Sequence, residues 1–129
     1  MKRAASLAAL ALACAAAGCS PEVTLVKIVK PADVGERQLA TFLLGDTVRM
    51  TLPTGYERVL VAGSRWNLVG AIAQGSVYKP AQGVLTVEGA NIHEAYLVVR
   101  DGALNGFYLP VEQGYSPLGS RIPLVIQAR

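Results

Sequence analysis

Ile92-His93-Glu94-Ala95-Tyr96-Leu97-Val98-Val99-Arg100-Asp101-Gly102-Ala103-Leu104-Asn105-Gly106-Phe107-Tyr108-Leu109 is the stretch on which the fold turns. Two runs of strand formers flank Asp101-Gly102. A two-residue type I′ turn needs positive φ at both of its central positions, which Asp tolerates and Gly adopts freely. The stretch therefore predicts an antiparallel hairpin, with Arg100 opposite Ala103, Val99 opposite Leu104, Tyr96 opposite Phe107 and Ala95 opposite Tyr108. Alternation places Tyr96 and Phe107 on one face and Tyr108 on the other. The assignment is sensitive to register, because a slip of one residue exchanges the faces.

Outward from this hairpin the same grammar repeats. Twelve of the 13 glycines lie beyond residue 18, spaced so that only short elements fit between them, and the residues they separate include 15 Val, 5 Ile and 5 Tyr. Regular turn signals between short runs of β-branched and aromatic residues predict a mostly β fold, a single small antiparallel sandwich or barrel. Strands are expected at 23–30, 47–52, 57–62, 65–72, 76–79, 84–88, 92–100, 103–109 and 121–127. Pro123 lacks a ladder donor and assigns the last of these to an edge. Trp66, Leu68 and Ile72 share one face of their strand, which makes Trp66 a packing anchor. One segment reads differently. Asp33 and Glu36 form a capping-box spacing, Leu39, Phe42 and Leu43 recur at helical intervals, and Gly45 is a stop signal, so a short helix is expected near residues 34–43.

The N-terminus carries a separate message. Met1-Lys2-Arg3 precedes the run Ala4 to Ala17, in which Ser6 is the one polar residue. That run is too short to span a hydrocarbon core of about 30 Å and reads as a secretory signal. It ends in Ala16-Ala17-Gly18-Cys19, which resembles the lipobox of bacterial lipoproteins, although Ala16 stands where that family prefers Leu. Cys14, after Leu12-Ala13, is a poorer match. The resemblance implies that residues 1–18 are a signal peptide, that Cys19 is thioether-linked to diacylglycerol and acylated on its new amine, and that residues 19–22 form a lipidated tether to a β domain at 23–129. Ser20 occupies the place of the aspartate that retains such proteins in the inner membrane, so the resemblance also implies the outer membrane, facing the periplasm. From about Trp66 to Leu118 the mature part loosely resembles small envelope lipoproteins of Gram-negative bacteria, a likeness that carries no catalytic residue across.

Processing at Cys19 would change what the composition means. The whole chain has a formal net charge of +3, but ten Lys and Arg against nine Asp and Glu remain beyond residue 18. The clustered excess of cations that marks a nucleic-acid footprint is not there. With Cys14 removed and Cys19 acylated no thiol is left for a disulfide, a metal or a nucleophile, so the core is expected to hold by packing alone.

Chemistry has few places to reside. His93 is the only imidazole, and His93-Glu94-Ala95-Tyr96-Leu97 starts like a zinc-protease motif but ends in Leu97 where His is needed. Gly114-Tyr115-Ser116-Pro117-Leu118 fails as a nucleophile elbow at its fifth position. No cofactor motif is found, and neither a catalytic nor a metal-ligating set is expected. Two carboxylates flanking the hairpin, Glu94 and Glu112, could face one another as glycosidase carboxylates do. Aromatic density is highest between Asn91 and Leu118, and the segment Pro110 to Gly119 reads as a surface loop. The candidate binding residues are accordingly His93, Glu94, Tyr108, Glu112 and Tyr115. The expectation is a lipid-anchored binding or structural component with an envelope protein as partner. The alternatives are an envelope enzyme using Glu94 and Glu112, or a small-ligand or enzyme-inhibitor module.

Overall fold

Asp101 and Gly102 take φ values of 50° and 73°, the positive pair a type I′ turn demands. They join strands β8 (Ile92–Arg100) and β9 (Ala103–Leu109) in a computed structural model that describes residues 23–29 and 39–128. The first pairings out of the turn are Arg100 with Ala103 and Val99 with Leu104, as the sequence dictates. Then the register shifts. Val98 pairs with Gly106, so Asn105 is an extra residue on β9, and beyond it Leu97 faces Phe107 and Tyr96 faces Tyr108. The expected pairs Tyr96/Phe107 and Ala95/Tyr108 are corrected by this single bulge. Asn105 is held by three contacts: its Nδ2 donates to the Gln74 carbonyl at 2.9 Å, its Oδ1 accepts from Arg121 Nε at 3.1 Å, and its carbonyl accepts from the Tyr115 hydroxyl at 3.0 Å.

The described residues are all β, in an antiparallel arrangement. Before the hairpin come β1 (Thr24–Leu25), β2 (Thr41–Leu44), β3 (Val48–Thr51), β4 (Glu57–Leu60), β5 (Arg65–Ile72), β6 (Gly75–Pro80) and β7 (Leu85–Glu88). After it come β10 (Gly114–Pro123) and β11 (Ile126–Ala128). The main sheet runs β1-β10-β9-β8-β6-β5-β2-β11, with β7 also paired to β8, and β3-β4 forms a separate hairpin. β10 and β11 stand at opposite ends of the path from β9 to β2, yet only Leu124 and Val125 separate them in the chain. One short arm of backbone therefore links the two sides of the sheet, which folds back on itself as a sandwich or barrel-like fold.

The fold is filled from inside by alternate residues of its strands. Phe42, Leu44, Trp66, Tyr78, Leu97, Val99, Leu104, Phe107 and Leu109 are buried in one cluster. Phe42 meets Tyr78 edge to face at 4.7 Å, a geometry the ring quadrupoles favour. The buried Trp66 indole donates to Ser64 Oγ at 3.0 Å, so its one polar atom is satisfied. Trp66 is the packing anchor expected, with Leu68 beside it, but Ile72 does not share their face: the register shift between Leu68 and Gly70 turns it to the opposite side of the sheet. The β3-β4 hairpin adds Met50, Leu52 and Leu60 to the same cluster and is pinned to β7 by Arg58, which pairs with Glu88 and donates to the Thr86 carbonyl at 2.6 Å.

The other face of the sheet carries a second, smaller cluster of Ile72, Val77, Val98, Tyr108 and Tyr115, packed by Val26 and Ile28. The N-terminal segment covers it as a strap. Thr24 pairs with Tyr115, Leu25 pairs with Gly114, and Val29 bridges Ala71 on β5. Its close approach explains two glycines: a Cβ at Gly114 would lie 2.2 Å from Val23 Cγ1, and one at Gly70 2.2 Å from Ile28 Cγ2.

Two expectations are corrected here. Thr41–Leu44 is a strand, paired on both sides, in which Phe42 and Leu44 both point into the core at a two-residue period. The helix expected near 34–43 is thus replaced by strand at its C-terminal part, and its start lies outside the described residues. The loop expected at Pro110 to Gly119 is a four-residue turn followed by β10, which pairs with β9 from Gly114 onward. Residues 1–22, including the lipobox, lie outside the described residues.

Candidate functional site

The β9-β10 turn folds back onto the start of β8. Gln113 takes a positive φ of 52°, which reverses the chain so that Gly114 pairs with Leu109 and Tyr115 with Tyr108. The reversal sets Glu112 beside His93, with His93 Nδ1 2.6 Å from Glu112 Oε1. A carboxylate only accepts, so the ring nitrogen Nδ1 donates to Glu112 Oε1. Both side chains are partly buried, and the second oxygen, Glu112 Oε2, is buried without a hydrogen-bond partner. A histidine oriented by a carboxylate is the positioning half of a general base, whose chemistry still requires a nucleophile or a metal. Among the described residues no group of three or more His, Cys, Asp or Glu could hold a metal ion.

The five candidate residues separate into three groups. His93 and Glu112 come together in a hydrogen-bonded contact. Glu94 is the next residue on β8 and so projects from the opposite face, directly across from Thr86 on β7. The partner of Glu112 is therefore His93, and the sequence reading that matched Glu112 with Glu94 missed it. Tyr108 and Tyr115 are only 5% and 9% exposed and belong to the cluster beneath the N-terminal strap. Burial raises the ionisation of both phenols above the usual 10.0, with repulsion from Tyr96 adding to the effect at Tyr108. The ring of Tyr96 lies 6.3 Å from that of Tyr108 and carries Lys79 Nζ 5.8 Å from its centroid. Tyr108 and Tyr115 are packed into the fold, with little of either side chain left at the surface.

The sequence held one usable sign of the His93–Glu112 pairing. Gly106 inside a strand pattern marks a bulge or a close backbone approach. A Cβ there would lie 2.4 Å from the Ser116 carbonyl oxygen, so the glycine serves the packing of β9 against β10. Reading Asn105-Gly106 as a bulge shifts every later pairing by one and brings the turn alongside His93.

Two other features stand apart from this end of the sheet. A shallow groove of about 470 Å³ is lined by Leu43, Gly63, Ser64, Arg65, Pro80 and Gln82. A smaller one of about 230 Å³ lies along Asn105, Tyr115, Pro117, Ser120 and Arg121. Neither gathers a set of groups with mutual chemistry. Comparison with protein-family models, curated proteins and solved structures finds no match to this chain.

Proposed function

We propose that this chain is a lipid-anchored binding component of a bacterial cell-envelope assembly, held by acyl chains on Cys19 at the periplasmic face of the outer membrane and acting through contact with another envelope protein. The reading begins with Ala16-Ala17-Gly18-Cys19. The observation that carries it further is the position of β1, which enters the sheet at Thr24, five residues past that cysteine. Four residue steps from Cys19 to Val23 reach at most about 14 Å at ~3.5 Å per residue. An acylated Cys19 would therefore hold the domain against the bilayer and not at the end of a long leash. Three acyl chains, at ~0.8 kcal/mol per buried methylene, exceed what stable anchoring requires. Binding at the surface is favoured over an enclosed ligand because Phe42, Trp66, Leu97, Phe107 and Leu109 occupy the interior of the fold.

The experiment is Cys19→Ser in the native cell. The expected result is a chain that is either unprocessed or released in soluble form, whereas the parent fractionates with the outer membrane. A variant that stays with the outer membrane after a high-salt wash would show that acylation is not what holds the protein.

A further inference from the structure

Among the described residues, the three most exposed large hydrophobic side chains are Leu25, Val111 and Ile92, at 80%, 77% and 71%. They lie on three different elements around the β9-β10 turn: β1, the turn itself and the start of β8. The His93–Glu112 contact at 2.6 Å sets Ile92 next to the turn that carries Val111. Val26 N–H donates to the Gln113 carbonyl at 3.0 Å, and Leu25 pairs with Gly114, so the strap crosses beside the same turn. Scattered single hydrophobic residues are ordinary on a protein surface, but a convergent group marks a contact site. Its occupant is indicated by what lies next in the chain, since the segment leading from Cys19 arrives at Val23, two residues before Leu25.

We propose that Leu25, Ile92 and Val111 form a membrane-contact tip that rests in the interfacial region of the lipid bilayer and fixes the orientation of the domain on it. The inference rests on the lipid-anchor reading above. An acyl anchor alone leaves a domain free to tumble within the length of its tether. Apolar side chains dipping into the headgroup boundary add a second, weaker attachment, the pattern by which peripheral proteins acquire a defined face toward lipid. The His93–Glu112 bond would hold the two rims of the tip together. The β8-β9 turn, at the far end of both strands, would point toward the periplasm.

The test uses the full chain, purified from membranes and reconstituted into vesicles of phosphatidylethanolamine and phosphatidylglycerol. Single cysteines replace Val111, Ile92 or, as the control, the exposed Ser120, which lies near the β8-β9 turn because Ile122 pairs with Leu104. Each carries an environment-sensitive fluorophore, and the mass of the mature chain reports its acylation. The expected result is a blue-shifted emission, quenched by nitroxide lipids, from the Val111 and Ile92 probes and not from the Ser120 probe. An acylated protein whose Val111 and Ile92 probes stay in water would overturn the tip while leaving the anchor intact. Probes silent in pure lipid but shielded in native envelope membranes would also overturn it, by assigning the patch to a protein. Equal quenching at Ser120 would rule out a fixed orientation. A mature chain without acyl mass would remove the anchor-based reading itself.

Discussion

A single inserted residue decides which aromatic side chains face which core. With Asn105 bulged, Phe107 enters the main core and Tyr108 turns to the strap side, where it stacks near Tyr96 above Val98. The alternation of the strands was legible in the sequence; of the bulge only Gly106 gave a sign, because one asparagine in a strand carries no periodic signal. The result is a group of buried phenols whose ionisation can be measured. Tyr78, Tyr108 and Tyr115 are all raised above 10.0 by burial, Tyr78 against the opposing effect of its bond to the Leu39 carbonyl. A phenol whose folded pKa lies above its unfolded value contributes fully below the unfolded value and loses that contribution as pH rises through the folded one. Stability is therefore expected to hold up to about pH 10 and then fall steeply. An ultraviolet tyrosinate titration should show Tyr78, Tyr108 and Tyr115 ionising late and together with unfolding. Ionisation of Tyr108 and Tyr115 near 10.0 with the fold intact would show that they are not sealed by the strap.

The elements the sequence hid were those whose neighbours, and not their own residues, define them. Thr41–Leu44 has the spacing of a helix end and becomes a strand because β5 and β11 offer pairing on either side, against Arg65–Asn67 and Ile126–Ala128. Gly114–Pro123 has the Pro and Gly content of a loop and becomes β10 because β9 lies beside it. Tertiary pairing overrides local preference in both cases. The strap was legible as a β-forming run at 23–30, but nothing in that run announced that it crosses a sheet at glycines. Gly70 and Gly114 give it a handle. Gly70→Ala places a Cβ against Ile28 Cγ2, and Gly114→Ala places one against Val23 Cγ1, so each should push the strap from the sheet. Overpacking of this kind costs about 1–3 kcal/mol. Limited proteolysis should then cut faster near the exposed Lys27, while the main core, built without either glycine, keeps its cooperative melting. If cleavage at Lys27 is unchanged in both variants, the strap is not seated on those glycines.

At the scale of the whole molecule, the link that brings the two sides of the sheet together depends on very little chain. β11 offers three residues to β2, Ile126 opposite Leu44, Gln127 opposite Leu43 and Ala128 opposite Phe42, and Gly45 N–H donates to the Val125 carbonyl at 2.7 Å. Composition and turn spacing pointed to a sandwich or barrel, but not to this particular pairing, which joins residues more than 80 positions apart. Removing residues 125–129 should test it. The loss includes a few backbone hydrogen bonds at about 1 kcal/mol each and the partly buried Ile126, about 3–6 kcal/mol together. Domains of this size commonly have 5–15 kcal/mol in all. The truncated protein should therefore melt far below the parent. It should also expose β2 as a bare edge carrying Phe42 and Leu44, an invitation to pair with a second copy. Light scattering beside thermal melting measures both effects. Concentration-dependent association with a depressed melting point is the expected outcome. A truncated chain that stays monomeric and melts with the parent would mean that β2 is secured by β5 alone and that the C-terminal arm decorates the sheet without linking its sides.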